Sequence, residues 1–174
     1  MTRYRYCAKC GGPLTARLME GRERLVCDGC GYVLYVNPRP ATCAVVVDGD
    51  RVMLVRRAVE PRRGFWDLPG GFLERDEHPA EGLQREMREE TGLEIEILEP
   101  LGFFLDTYPE PGETTLNFYA LARVVGGEPQ PGSDVAEIRW FPRDALPPDE
   151  QIAFPNNRAA LAAWLAGERH VIAP

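Results

Sequence analysis

No stretch of this 174-residue chain approaches the roughly eighteen consecutive apolar residues that a membrane span requires, so no transmembrane segment is expected. The opening Met1-Thr2-Arg3-Tyr4-Arg5-Tyr6 lacks the apolar core of a signal peptide. There is no internal repeat and no low-complexity segment. An excess of positive charge is also missing. The formal charge is −7 and the pI about 5.0, which argues against a nucleic-acid binder that works by neutralising phosphates. Together these absences predict a cytoplasmic protein off the membrane, with nucleic acid disfavoured as a partner. The chain is nevertheless long enough to bury a core, and its length suggests one domain plus a small appendage.

Charge is unevenly spread. Residues 1–40 hold seven Lys or Arg against three Asp or Glu, whereas residues 41–174 hold thirteen against twenty-four. The basic part is organised by Cys7-Ala8-Lys9-Cys10-Gly11 and Cys27-Asp28-Gly29-Cys30-Gly31. Two Cys-x-x-Cys pairs, each followed by glycine, offer four thiolates that a tetrahedral zinc can gather from two tight turns. Glycine permits the positive φ that lets backbone N–H groups point at sulfur. So short a segment has almost no core, and bound Zn²⁺ would supply much of its folding free energy. The segment resembles a zinc ribbon, expected over residues 1–36. The alternative, disulfides, suits a secreted protein, and nothing else suggests secretion. Ribbons bind nucleic acid, mediate dimers or prop up a neighbour. A structural role is favoured here.

Beyond the boundary at Tyr35-Val36-Asn37-Pro38-Arg39-Pro40, the run Thr42 to Val47, the turn Asp48-Gly49 and the return Val52 to Arg57 read as a hairpin. Cys43 is most simply a small buried residue. Arg56 and Arg57 end the second strand on opposite faces, so one of them can face a site. Trp66 is read as core. Short strands are expected at Glu94 to Pro100, Leu101 to Asp106 and Ile138 to Phe141, with a long one at Thr115 to Val125. Pro109 to Gly112 should form a turn, and Asn156 should cap a last helix running to Gly167. Strands between two helices imply an α/β fold with a mixed sheet between helical layers.

Pro79 to Thr91 reads as a helix on which Glu86, Glu89 and Glu90 share an arc of roughly 100°. Three carboxylates aimed at one point, without Cys or His, suit Mg²⁺ or Mn²⁺ better than zinc. Taken alone they could equally be a solvated acidic face. Their surroundings weigh against that: Gly71, Glu77, Arg85, Glu86, Met87, Glu89, Glu90, Gly92 and Leu93 stand at fixed spacing. This pattern resembles the Nudix box at all nine specified positions. The resemblance implies an α/β/α sandwich over residues 37–174, a homodimer, and hydrolysis of a nucleoside diphosphate linked to another group. It also implies Glu86, Glu89, Glu90 and the Gly71 carbonyl as Mg²⁺ or Mn²⁺ ligands, with Arg85 and Glu77 bracing the loop. Arg56 or Arg57 would reach substrate phosphate. An extra carboxylate would come from the loop carrying Asp134 and Glu137, and Glu137 is preferred.

The substrate would be a small nucleotide. A ribbon joined to such a domain is similar in layout to NADH pyrophosphatases, but their Ser-Gln-Pro-Trp run is absent. Pro109, sixteen residues past Leu93, resembles the ADP-ribose pyrophosphatase pattern. ADP-ribose is therefore expected first, with NADH and FAD as alternatives. Phe104 and Tyr108, with Phe103 and Phe154, are candidates to stack on adenine. A regulator that only senses nucleotides or binds nucleic acid remains the alternative of another class, although related non-catalytic domains usually lose box glutamates and none is missing here.

Overall fold

The fold is described from a computed structural model covering residues 4–107, 113–169 and 171–172. The chain divides into two units, residues 1–38 and 39–174. Among the described residues, no helix is long and apolar enough to cross a membrane.

The first unit is a small antiparallel sheet of β1 (Leu14–Met19), β2 (Arg22–Cys27) and β3 (Val33–Leu34), in the order β1-β2-β3. Each Cys-x-x-Cys pair closes a tight turn. Gly11 N–H donates to the Cys7 carbonyl at 2.9 Å and Gly31 N–H to the Cys27 carbonyl at 3.0 Å, with φ of +74° and +70° at the two glycines. The turn directs the Lys9 N–H at Cys7 Sγ, 3.3 Å away. All five cysteines are free thiols, and the four sulfurs of Cys7, Cys10, Cys27 and Cys30 lie within 4.8 Å of one another. Burial resists ionisation of Cys27, but the N–H groups of Cys30 and Gly29 and the Cys10 thiol bring it down to about 7. Four sulfur donors gathered this closely fit tetrahedral zinc.

The second unit is one mixed sheet with a helix on each face. Its strands are β4 (Arg39–Asp48), β5 (Arg51–Arg57), β8 (Leu93–Thr107), β9 (Thr114–Gly127), β10 (Val135–Pro142) and β11 (Val171–Ile172), ordered β10-β5-β4-β9-β8-β11. Two short pieces join it, β6 (Trp66–Asp67) on β5 and β7 (Gly70–Phe72) on β4. β4 runs parallel to β9 and antiparallel to β7. It is buried on both faces, which is why residues 41–47 form an unbroken small and β-branched run. Ala44 and Val46 face helix α1 (Pro79–Thr91) with Leu83, Met87 and Met53, whereas Val45 faces helix α2 (Pro155–Ala166) with Leu54, Leu161 and Trp164.

The expected pair of short strands at residues 94–106 is instead the single strand β8. Register shifts between Ile97 and Glu99 and between Pro100 and Gly102 absorb Pro100, which read in sequence as a break. Asn156 does not cap α2 either: Phe154 holds the N-cap position, Pro155 follows it, and Asn156 turns inward, 8% exposed. α1 is capped by His78, whose Nδ1 accepts the Ala80 N–H at 3.3 Å while Glu81 Oε2 accepts the His78 N–H at 3.1 Å.

Purified under reducing conditions, the chain should carry one zinc per molecule by elemental analysis. Cys27→Ser should cost the ribbon on the order of several kcal/mol of stability, read as an early unfolding transition. A metal content far below one per chain would count against the thiolate cluster.

Candidate active site

The strand that precedes α1, β7, begins with two glycines. At Gly70, φ is +146° and a Cβ would lie 2.1 Å from the Thr42 carbonyl oxygen. At Gly71 a Cβ would lie 2.5 Å from Glu86 Oε1. A side chain at either position would occupy space now taken by the backbone of β4 or by the helix carboxylate. The strand thus presses its main chain against α1, and the Gly70 N–H donates to Glu90 Oε2 at 3.0 Å.

Arg85 is the internal counter-charge. Its Nε and Nη2 hold Glu77 Oε1 and Oε2 at 2.8 and 2.9 Å, and Nη2 also donates to the Phe72 carbonyl at 3.1 Å. Nη1 reaches Glu86 Oε1 at 2.8 Å and Glu89 Oε2 at 3.0 Å. The Arg85 guanidinium, helped by the Glu74 N–H, holds Glu77 down to about 2. Burial has the opposite effect on the helix: it raises Glu86 against the pull of Arg85, and it pushes Glu90 up to about 8 despite the Gly70 N–H. One arginine therefore faces more carboxylate charge than it can balance.

A further carboxylate comes from the loop after β9. That loop is fastened to the C-terminal end of α1 by Gln130 N–H to the Thr91 carbonyl and Gly132 N–H to the Glu90 carbonyl, both 2.8 Å. A Cβ on Gly132 would lie 2.2 Å from the Glu89 carbonyl oxygen, so only glycine brings the loop so close. The result is a depression of about 120 Å³ lined by Glu86, Glu89, Glu90, Ser133 and Asp134. Glu137, preferred from sequence, lies elsewhere. It is bonded to Arg139, sits 3.8 Å from Arg56, and lines a separate hollow with Arg56, Arg57 and Arg63. β10 begins at Val135 and shifts register before Glu137, which separates the two acids.

The side-chain donors lining the depression are four carboxylates and the Ser133 hydroxyl, all oxygen, a set that suits a hard divalent cation; Gly71 lines the neighbouring cavity. Among the described residues, only the four cysteines have ligand atoms gathered as tightly as 4.8 Å. The glutamates are turned toward their own partners, Arg85 and Gly70.

Beside Gly70 and Gly71 a second cavity, also about 120 Å³, opens between the sheet and α2. Its walls carry a buried polar chain. Arg57 Nη1 donates to Asp67 Oδ2 at 2.7 Å, Asn157 Nδ2 donates to Asp67 Oδ1, and the Tyr119 hydroxyl donates to Asn157 Oδ1. Burial raises Asp67 although Arg57 pulls it down. Asp106, raised by burial, and Asn156 also line this cavity, as does Phe154, whose ring lies 5.1 Å from the Arg57 guanidinium. Of the proposed stacking residues, Phe104 is 3% exposed and meets Tyr119 edge-on at 5.1 Å within the core. Phe103 pairs with Phe118 at 5.6 Å. Tyr108 and the Pro109 turn lie outside the described residues. Trp66 is buried against Phe141, as expected. Sequence reading missed Asp67, Asn157 and Tyr119 because nothing local marks them: the network joins residues up to ninety positions apart.

The NUDIX domain family matches residues 37–165, and the family described as Nudix N-terminal, a zinc ribbon, matches residues 5–36. An ADP-ribose pyrophosphatase of Methanocaldococcus jannaschii is 32% identical over 116 residues, 67% of this chain and 69% of that protein. The NAD-capped RNA hydrolase NudC of Pseudomonas aeruginosa is 35% identical over 148 residues, 83% of this chain. The chain spans about half the length of that relative, 50%. A crystal structure of a NUDIX hydrolase from Nitrosomonas europaea is similar at a TM-score of 0.82 and 28% identity, covering 97% of each chain.

Two stability effects follow from the charges. An acid depressed to about 2 stabilises the fold above the ordinary 4.5 and loses that contribution as pH falls toward 2. Arg85→Ala should therefore lower Tm at pH 7 without any metal, and its gap to wild type should close between pH 4.5 and 2. A gap independent of pH would mean that packing is lost instead of the ion pair. Glu90 has the opposite sign: an acid raised to about 8 favours the fold below 4.5 and loses that contribution as pH rises through 8. In metal-free protein, Glu90→Gln should add on the order of several kcal/mol at pH 8 and almost nothing at pH 4.5, as denaturant titrations at the two pH values would show.

Proposed function

The chain belongs to the Nudix family, and on that premise we propose that it is a metal-dependent pyrophosphohydrolase acting on a nucleoside diphosphate linked to a second group, with ADP-ribose preferred. The observation that carries this reading is the depression shared by Glu86, Glu89, Glu90 and Asp134, set against the β7 backbone, where Gly70 and Gly71 leave no room for a Cβ. Mg²⁺ or Mn²⁺ bound by the three glutamates and the Gly71 carbonyl would neutralise phosphoryl oxygens and acidify a water. Asp134 takes the proton of the attacking water. The water oxygen bonds to phosphorus as the bond to the bridging oxygen breaks, and for ADP-ribose the products are AMP and ribose 5-phosphate. Arg85 holds Glu86 and Glu89 in place and keeps the helix tied to the loop through Glu77. Arg56 and Arg57, at the hollow beside the site, suit the flanking phosphate oxygens.

Substrate choice rests on less local features. The cavity at Gly70 and Gly71 offers Asp106 and Asn156 as hydrogen-bonding groups and Phe154 as a ring, a lining that suits a nucleotide's base or sugar. The relative from Methanocaldococcus jannaschii bears the name ADP-ribose pyrophosphatase, and the Ser-Gln-Pro-Trp run of NADH pyrophosphatases is absent from this chain. NADH and FAD, which share the adenylate half, are the alternative substrates.

Turnover measured with Mg²⁺ on ADP-ribose, NADH and FAD should give the highest kcat/KM for ADP-ribose. A value for NADH tenfold above it would overturn the substrate and leave the reaction class intact. Glu90→Gln should lower kcat by about 10² or more, and Asp134→Asn by about 10². Glu137→Gln should stay within about threefold of wild type, since rim charges away from the chemistry contribute little. Near-normal turnover in Glu90→Gln would defeat the assignment of the site.

A further inference from the structure

The negative charge of the whole chain conceals a cationic face on the ribbon. In the register of β1 with β2, Arg17 stands directly opposite Arg24, and Met19 opposite Arg22. Alternation along a strand therefore places Arg17, Arg22 and Arg24 on one face, with Arg22 and Arg24 about 6.8 Å apart along β2. Glu23 points to the other face, opposite Leu18. Tyr35 joins the cationic face, because the Arg24 guanidinium lies 5.0 Å from its ring, and the tyrosine is 58% exposed. Asp28, a carboxylate just past the end of β2 on this face, accepts from Arg17 at 2.6 Å and from Thr15 at 2.8 Å. Among the described residues, Arg22 and Arg24 have no carboxylate partner.

Like charges directly opposite one another weaken a two-stranded pairing. This hairpin, which has little core of its own, nevertheless carries such a pair. We propose that this face of the ribbon is a contact surface for single-stranded nucleic acid. Guanidinium groups match phosphate oxygens with two parallel hydrogen bonds, and their spacing along β2 is comparable to the step between phosphates of an extended strand. The open face of Tyr35 can stack on an unpaired base. A duplex cannot use that ring, because its bases already stack on one another. The surface therefore selects single strands by stacking and holds them by charge.

The test is fluorescence anisotropy of the full chain with a labelled oligouridylate of about twelve nucleotides, at about 50 and 200 mM salt. Wild type should bind at the lower salt and weaken steeply at the higher. Combining Arg17→Ala, Arg22→Ala and Arg24→Ala should weaken binding at least tenfold and lower the slope of log affinity against log salt by about 2, at roughly 0.7 for each lost phosphate contact. Tyr35→Ala should weaken binding severalfold with the slope unchanged. ADP-ribose turnover and zinc content should match wild type in both variants and serve as the check on folding. The single exposed change Arg22→Glu provides the same test should the triple variant lose its zinc. Three results would overturn the proposal: no binding by wild type at the lower salt, equal binding by the arginine variants, or displacement by polyglutamate as effective as by unlabelled RNA, which would make the face a contact for acidic peptides.

Discussion

Carboxylate crowding along the C-terminal half of α1 is what the second unit is arranged to tolerate. Glu86 lies where a side chain on Gly71 would be, Glu90 is buried against the Gly70 N–H, and Glu89 reaches out to share Arg85 with its neighbours. Such a cluster is unstable unless its charge is compensated, and a single guanidinium divided among three glutamates compensates only part of it. The remainder is balanced in one of two ways: a carboxyl keeps its proton, as the raised position of Glu90 indicates, or a cation arrives. On the proposed function, the same imbalance in the metal-free fold would favour a divalent ion, since a ligand bound only by the folded state stabilises it by mass action.

The backbone is fitted to that helix from two sides. β7, with Gly70 and Gly71, approaches along one edge, and the loop of Gln130 and Gly132 is fastened to the carbonyls of Thr91 and Glu90 at the other. Both approaches require glycine for steric reasons of the same kind: each Cβ would lie within about 2.5 Å of an oxygen. The second approach decides which acid joins the glutamates. Fastening Gly132 places Asp134 two residues on, whereas Glu137 has already entered β10 and turned toward Arg56 and Arg139.

How much of this was legible in the sequence depended on how local the signal was. The acidic arc, the Arg85–Glu77 brace and the cysteine turns each lie within a short stretch whose spacing fixes the geometry, and each appears where that spacing put it. The layering was legible for a similar reason, because an unbroken apolar run such as residues 41–47 has to be covered on both faces. What could not be read were relations set by tertiary register. Pro100 looked like the end of a strand because a bulge is invisible without the partner strand. Phe104 looked available to a substrate because aromatic residues carry no mark of which face will be buried. Asp67, Asn157 and Tyr119 are unremarkable singly, and their chemistry exists only once β6, β9 and α2 meet.

That buried chain also explains how the two halves of the candidate site can be kept in step. Arg57 is bonded through Nη1 to Asp67 and through Nε to the Pro61 carbonyl at 2.8 Å, so its guanidinium is already fixed. An arginine held this way loses less conformational freedom on meeting a ligand than a solvated one, and more of its interaction energy goes into binding. Arg56, exposed, donates to the Gly64 carbonyl at 3.0 Å and lies 3.8 Å from the Glu137 carboxylate, so it is held less closely. The difference assigns the two neighbours different physical work: Arg57 is a fixed part of the wall between the cavity and the arginine-lined hollow, while Arg56 is an adjustable charge at the rim. Asp67 is the buried group on which this depends, since its charge is tolerable in the core only while Arg57 and Asn157 both remain bonded to it.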